Sequence, residues 1–356
     1  MLLEFRVSNH RSIFEEQVLT SKAVPRLGEA DDERARVLVG VDGKYLPALA
    51  IYGANASGKT NVLDALLFMQ EAVISSHRVW EPNSGVPRSN FKWGGATIGS
   101  TYEVEFVYDN VQYKYGFAVD SERVLEEWLF STLNGQEMMW FTREENEFKF
   151  GEQLKLTPEQ ITVMAGLTGS NSLFLSAASQ SRIESIFPIY LWFRSISSLN
   201  FSKRKRRPFS SVYTRSRYGN ALELLARPDA KLTNRERNLI DRVKQMLSIS
   251  DFGIVDFKCN QREQIPKTFS LKHSVEYEDP WLPLTEESQG TQTMFKIALQ
   301  ILESLDSGCP LLFDELETSL HPLLAMEIVK LFNSKDRNPK NAQLIFTTHD
   351  LSLIHI

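Results

Sequence analysis

The stretch Gly53-Ala-Asn-Ala-Ser-Gly58-Lys59-Thr60 has the residue types and spacing that hold a chain of phosphates. Glycine lets the backbone turn sharply enough for amide N–H groups to face inward, and a helix starting at the end of the loop adds the partial positive charge of its N-terminus. The lysine side chain then reaches the β- and γ-phosphates, and the threonine hydroxyl suits Mg²⁺. The pattern is a P-loop, with ATP and Mg²⁺ as the expected ligands and Gly53, Asn55, Ser57, Gly58, Lys59, Thr60 and Asn61 as the expected contacts. A glycine-rich turn without a ligand is the alternative; the apolar strand before the loop and the helical pattern after it weigh against that.

A second stretch, Pro310-Leu-Leu-Phe-Asp314-Glu315, is an apolar strand ending in two carboxylates. Adjacent acids at the end of a buried strand are costly to desolvate unless a cation or a water network meets them. Asp314 is therefore expected to hold Mg²⁺ through water, and Glu315 to orient and deprotonate an attacking water. The same two residues could instead cap a helix. In Thr285-Glu-Glu-Ser288-Gln-Gly290-Thr291, Ser288 and Gly290 open a long amphipathic helix. Such an N-terminus can clamp an anion, or Ser288 can be an ordinary N-cap.

These residues must be carried by elements that bring them together. Leu2 to Val7 alternates and breaks at Ser8-Asn9-His10-Arg11-Ser12, as a short strand and turn do; Pro25 to Arg36 reads as an exposed loop. Tyr45 to Tyr52 reads as a buried strand running into the P-loop and then a helix over Asn61 to Ala72. Tyr102–Tyr108, Gln112–Phe117 and Glu127–Phe130 predict an antiparallel meander, followed from Pro158 by a mainly helical region that includes Asn220 to Ala226 and Asn234 to Leu247. Strands are expected near Phe252 to Lys258 and Phe269 to Glu276. The last third alternates a helix over Thr291 to Leu305, a strand at Leu311 to Phe313, a helix over Leu323 to Phe332 and a strand at Gln343 to Thr347, which predicts a parallel sheet.

Across 356 residues, 42% hydrophobic and 24% charged composition supports a globular chain with a sizeable core. The net charge of −5 speaks against a surface that coats nucleic acid, while leaving room for a local basic patch. Cys259 and Cys309 are too few for a disulfide framework, and no apolar run approaches the ~20 residues of a membrane span. A cytoplasmic protein without membrane contact is expected.

The order of P-loop, long insertion, Ser-x-Gly helix and acidic strand resembles AAA-family ATPases of ABC/SMC/RecF architecture. Asp314-Glu-Leu-Glu-Thr-Ser-Leu-His321-Pro322 and Gln343-Leu-Ile-Phe-Thr-Thr348-His349-Asp350 resemble their acidic strand with D-loop and their switch-histidine strand. The resemblance is strongest to the RloA/AbiL-like group, related to OLD-type proteins and associated with bacterial anti-phage and restriction-linked defence. It implies a P-loop NTPase fold of α/β class, with a mostly parallel central sheet, an antiparallel β meander lobe and a helical insertion. The expected division is 1–150, an N-terminal ATPase lobe; 151–250, a mainly helical insertion; and 251–356, a C-terminal ATPase lobe ending short of the strands and closing helix that usually follow the switch histidine. Also implied is an ATP-dependent head-to-tail homodimer that hydrolyses ATP and gates a separately encoded effector such as a nuclease or toxin. In it Ser288 and Gly290 would contact the γ-phosphate in trans and His349 would sense it in cis; Lys59, Glu315 and His349 would be the catalytic set. Ser288-Gln-Gly290-Thr291 departs from the Leu-Ser-Gly-Gly-Gln of transporters, and the glutamine of the Q-loop is not located.

Other residues admit two interpretations. His349 could be a satisfied strand-end histidine, and His321 reads as a packing or capping residue beside Pro322. Asn9, Arg11 and Ser12 match the Asn-x-Arg/Lys-Ser turn found near the start of the same group, and either lie by the nucleotide or form a solvated turn. The basic run Lys203-Arg-Lys-Arg-Arg207, with Tyr213, Arg215, Arg217 and Tyr218 behind it, could bind nucleic acid or be a solvated loop. Binding by that run would make the chain a RecF-like DNA-repair ATPase; a scaffold that binds ATP without turnover is a further alternative.

Overall fold

The structure is a computed structural model that describes residues 1–24, 32–133, 135–181, 183–199, 224–227, 229–249, 253–260, 268–274, 278–318, 320 and 322–350. In chain order its first elements are β1 (Leu2–Ser8), β2 (Gln17–Thr20), β3 (Arg36–Val37), β4 (Lys44–Tyr45), β5 (Ala48–Tyr52) and α1 (Lys59–Val79). Next come β6 (Ser100–Tyr108), β7 (Val111–Val119), β8 (Val124–Leu133), β9 (Gln136–Glu144) and β10 (Glu147–Phe150). After these lie α2 (Pro158–Leu167), α3 (Phe174–Gln180), α4 (Phe187–Ser195) and β11 (Ser197–Leu199). The helix Asn234–Ile249 precedes β12 (Ile254–Asn260), β13 (Thr268–His273) and β14 (Trp281–Pro283). The helix Gln289–Ser307, β15 (Pro310–Phe313), the helix Pro322–Asn333 and β16 (Gln343–Thr348) complete the described chain.

A four-stranded sheet of order β11-β15-β16-β5 carries the predicted chemistry, and its pairings are all parallel. β15 and β16 are buried at every position, as parallel strands covered on both faces are. Alternate residues serve different cores. Leu312 and Ile345 join the cluster built around α1, the meander and α3–α4, whereas Leu311, Phe313, Leu344 and Phe346 join the cluster formed with the helices Asn234–Ile249, Gln289–Ser307 and Pro322–Asn333. The parallel sheet is thus the wall between two cores, and its period of two decides which side chain faces which.

The meander forms a second sheet of order β10-β9-β8-β7-β6-β1-β2, in which β1 pairs antiparallel with both β2 and β6. Its link to the helices is a buried carboxylate. Glu127 of β8 accepts from Phe174 N at 2.6 Å and Leu175 N at 3.0 Å, capping the start of α3, and from Tyr115 Oη at 2.9 Å. Burial pushes its carboxyl pKa up and that of the neighbouring Arg143 guanidinium down. Arg143 is in turn tied to the carbonyls of Ser172 and Glu145 at 2.7 and 2.6 Å.

Two expectations are corrected. Tyr45 to Tyr52 is two strands, β4 and β5, because Pro47 has no N–H to give a ladder; β5 is an edge strand with Ala50 and Tyr52 exposed. Of the stretch Pro25 to Arg36, Glu33 and Arg34 are exposed as expected of a loop, but its last residues are not. Arg36 is buried and donates to Asn333 O at 2.8 Å, the last carbonyl of the helix Pro322–Asn333. The segment beyond residue 150 also contributes β11, paired in parallel with β15. The fold is α/β of the P-loop NTPase type.

Candidate nucleotide site

β5, β15 and β16 run in parallel, so their carboxyl ends open on one edge, the place where such sheets bind ligands. Each of these ends carries one of the predicted stretches. From β5 the chain enters a loop whose residues Ala54 to Ser57 are exposed, with left-handed φ of 62° at Ala56 and 97° at Gly58. A Cβ on Gly53 would lie 2.8 Å from Ser57 Oγ, so a side chain there would have to displace the serine hydroxyl. No side chain caps the N-terminus of α1 and its first turn holds no acid, leaving the positive end of the helix dipole open to an anion.

Lys59, 8% exposed, folds back along this loop and donates to Gly53 O at 2.7 Å and Ala54 O at 2.9 Å. Its Nζ is 3.3 Å from His349 Nδ1, just past β16. Thr60 Oγ1 donates to Asp314 Oδ1 at 2.9 Å, and Thr347 Oγ1 donates to the same oxygen at 2.8 Å. Thr347 Oγ1 also accepts from Glu315 N at 2.7 Å. Glu315 itself turns the chain with a left-handed φ of 52°. Lys59, Thr60, Asp314, Glu315 and His349 are therefore brought together, with Asn61 one residue along on the same helix.

Ser288 and Gly290 are not part of that cluster. Ser288 caps the helix Gln289–Ser307, accepting from Thr291 N at 3.2 Å, and is exposed. Among the described residues no hydrogen bond joins it or Gly290 to the P-loop or to Asp314. Among the described residues a Cβ at Gly290 would meet only Ser288 Oγ, at an ordinary 3.8 Å, so none of them demands glycine there. Lys203 to Arg207, Tyr213, Arg215, Arg217, Tyr218 and His321 lie outside the described residues.

The Asn9–Ser12 turn does reach the loop. Ser12 Oγ accepts from Asn61 Nδ2 at 2.6 Å and lies 3.0 Å from where a Cβ on Gly58 would be. Arg11 pairs with Asp64 of α1, and His10 joins that carboxylate to Tyr102 Oη, each at 2.9 Å. Sequence reasoning missed Thr347, Asp64 and Glu317. Thr347 had a usable signal, a polar residue directly after the apolar run Leu344–Phe346 of a buried strand.

A family model described as "AAA domain, putative AbiEii toxin, Type IV TA system" matches residues 49–355. The chain belongs to this AAA-domain family. Solved structures similar to it include an Smc head bound to the C-winged helix domain of ScpA, at 11% identity and a TM-score of 0.43. Another is an Smc head with an extended coiled coil bound to the C-terminal domain of ScpA from Pyrococcus furiosus, at 12% identity and a TM-score of 0.41. In both comparisons 99% of this chain and 91% of the other are covered. No curated protein matches the chain. None of the described helices of this AAA-domain chain is long and apolar enough to cross a membrane.

Proposed function

We propose that the chain binds and hydrolyses Mg-ATP at the edge where β5, β15 and β16 end. The observation that carries this is the single cluster of Lys59, Thr60, Asp314, Thr347 and His349, drawn from three remote parts of the sequence. Lys59 exchanges loop carbonyls for phosphate oxygens, and the amides of the loop Asn55 to Gly58 with the open end of α1 hold the rest of the phosphate chain. Thr60 Oγ1 and Asp314 Oδ1 are a hydroxyl and a carboxylate of the kind that would hold Mg²⁺. The metal, when bound, neutralises charge on the β- and γ-phosphates. Glu315 orients the attacking water and takes its proton, a role worth roughly 10²–10⁴-fold in rate. His349 follows the terminal phosphate beside Lys59.

In this reading Ser288 and Gly290 act on the nucleotide of a second copy. The exposure of Ser288 and the open space beside Gly290 support a head-to-tail dimer in which binding closes and hydrolysis opens the pair. The lobes 1–150 and 251–356 would form the ATPase body around the 151–250 insertion, and the dimer would gate a separately encoded effector. The description of the family, which names a toxin–antitoxin system, supports a defence role; a place within the RloA/AbiL-like, OLD-related group rests on the motif resemblance alone. Glu315→Gln should hold ATP without releasing phosphate and elute as a dimer on size exclusion with light scattering. A variant that stays monomeric with ATP bound would refute the dimer.

A further inference from the structure

The turn after β15 and the bend after β16 are laced in both directions. Glu315 N donates to Thr347 Oγ1 at 2.7 Å and Leu316 N to Thr347 O at 3.1 Å; in return, His349 N donates to Glu317 Oε1 at 2.6 Å. The turn begins with the left-handed Glu315, a conformation that persists only where its surroundings over-determine it. Glu317 Oε2 is enclosed and has no hydrogen-bond partner among the described residues. A carboxylate with an unmet oxygen is a costly filler, which an apolar side chain would replace if volume were all that was needed. What the carboxylate does supply is the acceptor for the main chain of His349.

We propose that Glu317 is a positioning residue that couples His349 to Glu315. By holding the His349 amide it keeps the imidazole against Lys59, and because Glu317 shares a turn with Glu315, displacement of the histidine moves the base. This rests on the hydrolytic role proposed above for Glu315 and His349. Glu317→Ala removes the acceptor, whereas Glu317→Gln retains a carbonyl oxygen at the same reach.

Two readouts test it, both made on the full chain after thermal unfolding shows each variant to be folded. In nucleotide-free protein, hydrogen exchange of a peptide spanning residues 347–350 should speed up about tenfold or more in Glu317→Ala and stay near wild type in Glu317→Gln. In turnover, Glu317→Ala should lose up to about 10²-fold in kcat with KM for ATP little changed, and Glu317→Gln should recover most of it. Unchanged exchange in Glu317→Ala overturns the proposal and leaves the ATPase assignment standing. Faster exchange with unchanged kcat overturns the coupling. A wild-type chain that does not turn over ATP overturns both.

Discussion

Asp314 accepts from two hydroxyls, one on the helix that follows the P-loop and one on the strand beside its own. That arrangement makes Thr347 a residue on which both acids depend, since the same oxygen also accepts from Glu315 N. Thr347→Val keeps the shape and removes the hydroxyl, leaving a carboxylate and an N–H short of a partner. A loss of about 1–3 kcal/mol is expected, read as a lower denaturation midpoint, together with a fall in kcat. An unchanged midpoint would mean that water replaces the hydroxyl. The P-loop, the acid pair and the Ser-x-Gly helix start were legible in the sequence because each is a local pattern with a physical function. Thr347, Glu317 and Asp64 were not, because their importance lies in partners that only the folded chain brings near. Ser288 shows the limit from the other side: its capping of Thr291 satisfies the local pattern fully, so its use by a second chain has to be argued from exposure and from Gly290.

At the scale of elements, the strands and helices of the final third match their predicted positions, since β15 is a continuous apolar run, β16 is built on the apolar run Leu344–Phe346, and the helix Gln289–Ser307 has a clear apolar face ended by the left-handed Gly308. The division of Tyr45 to Tyr52 was hidden by its uniform composition, and Pro47 was its only sign. Neither was the partnership of β1 with β6 written in local pattern, because it joins residues about a hundred positions apart. Glu127 and Arg143 are charged residues of the meander, yet they are 0% and 1% exposed and join β8 and β9 to the start of α3. Glu127→Ala would strip the cap from α3 and strand a buried guanidinium, so it should destabilise by about 3–5 kcal/mol. Chemical denaturation checks this; a change below about 1 kcal/mol would show that the cluster is not a joint between sheet and helices.

For the whole molecule, the parallel sheet separates two cores and brings the ends of three strands to one edge, so the nucleotide chemistry proposed for that edge would act on both sides. α1 leads from the P-loop into the core shared with the meander, and the helix Pro322–Asn333 leads from the acidic turn into the other. Closure around ATP should therefore shift hydrogen exchange on both sides of the sheet, in α1 and in the helix Gln289–Ser307 alike. Protection confined to the P-loop would argue for binding without closure. The most direct measurement of the central claim is calorimetric titration of Mg-ATP into Glu315→Gln, with and without Lys59→Ala. Saturating heat with one nucleotide per chain, abolished by Lys59→Ala, is the predicted result; no heat in Glu315→Gln, or the same heat in the double variant, would contradict a shared site.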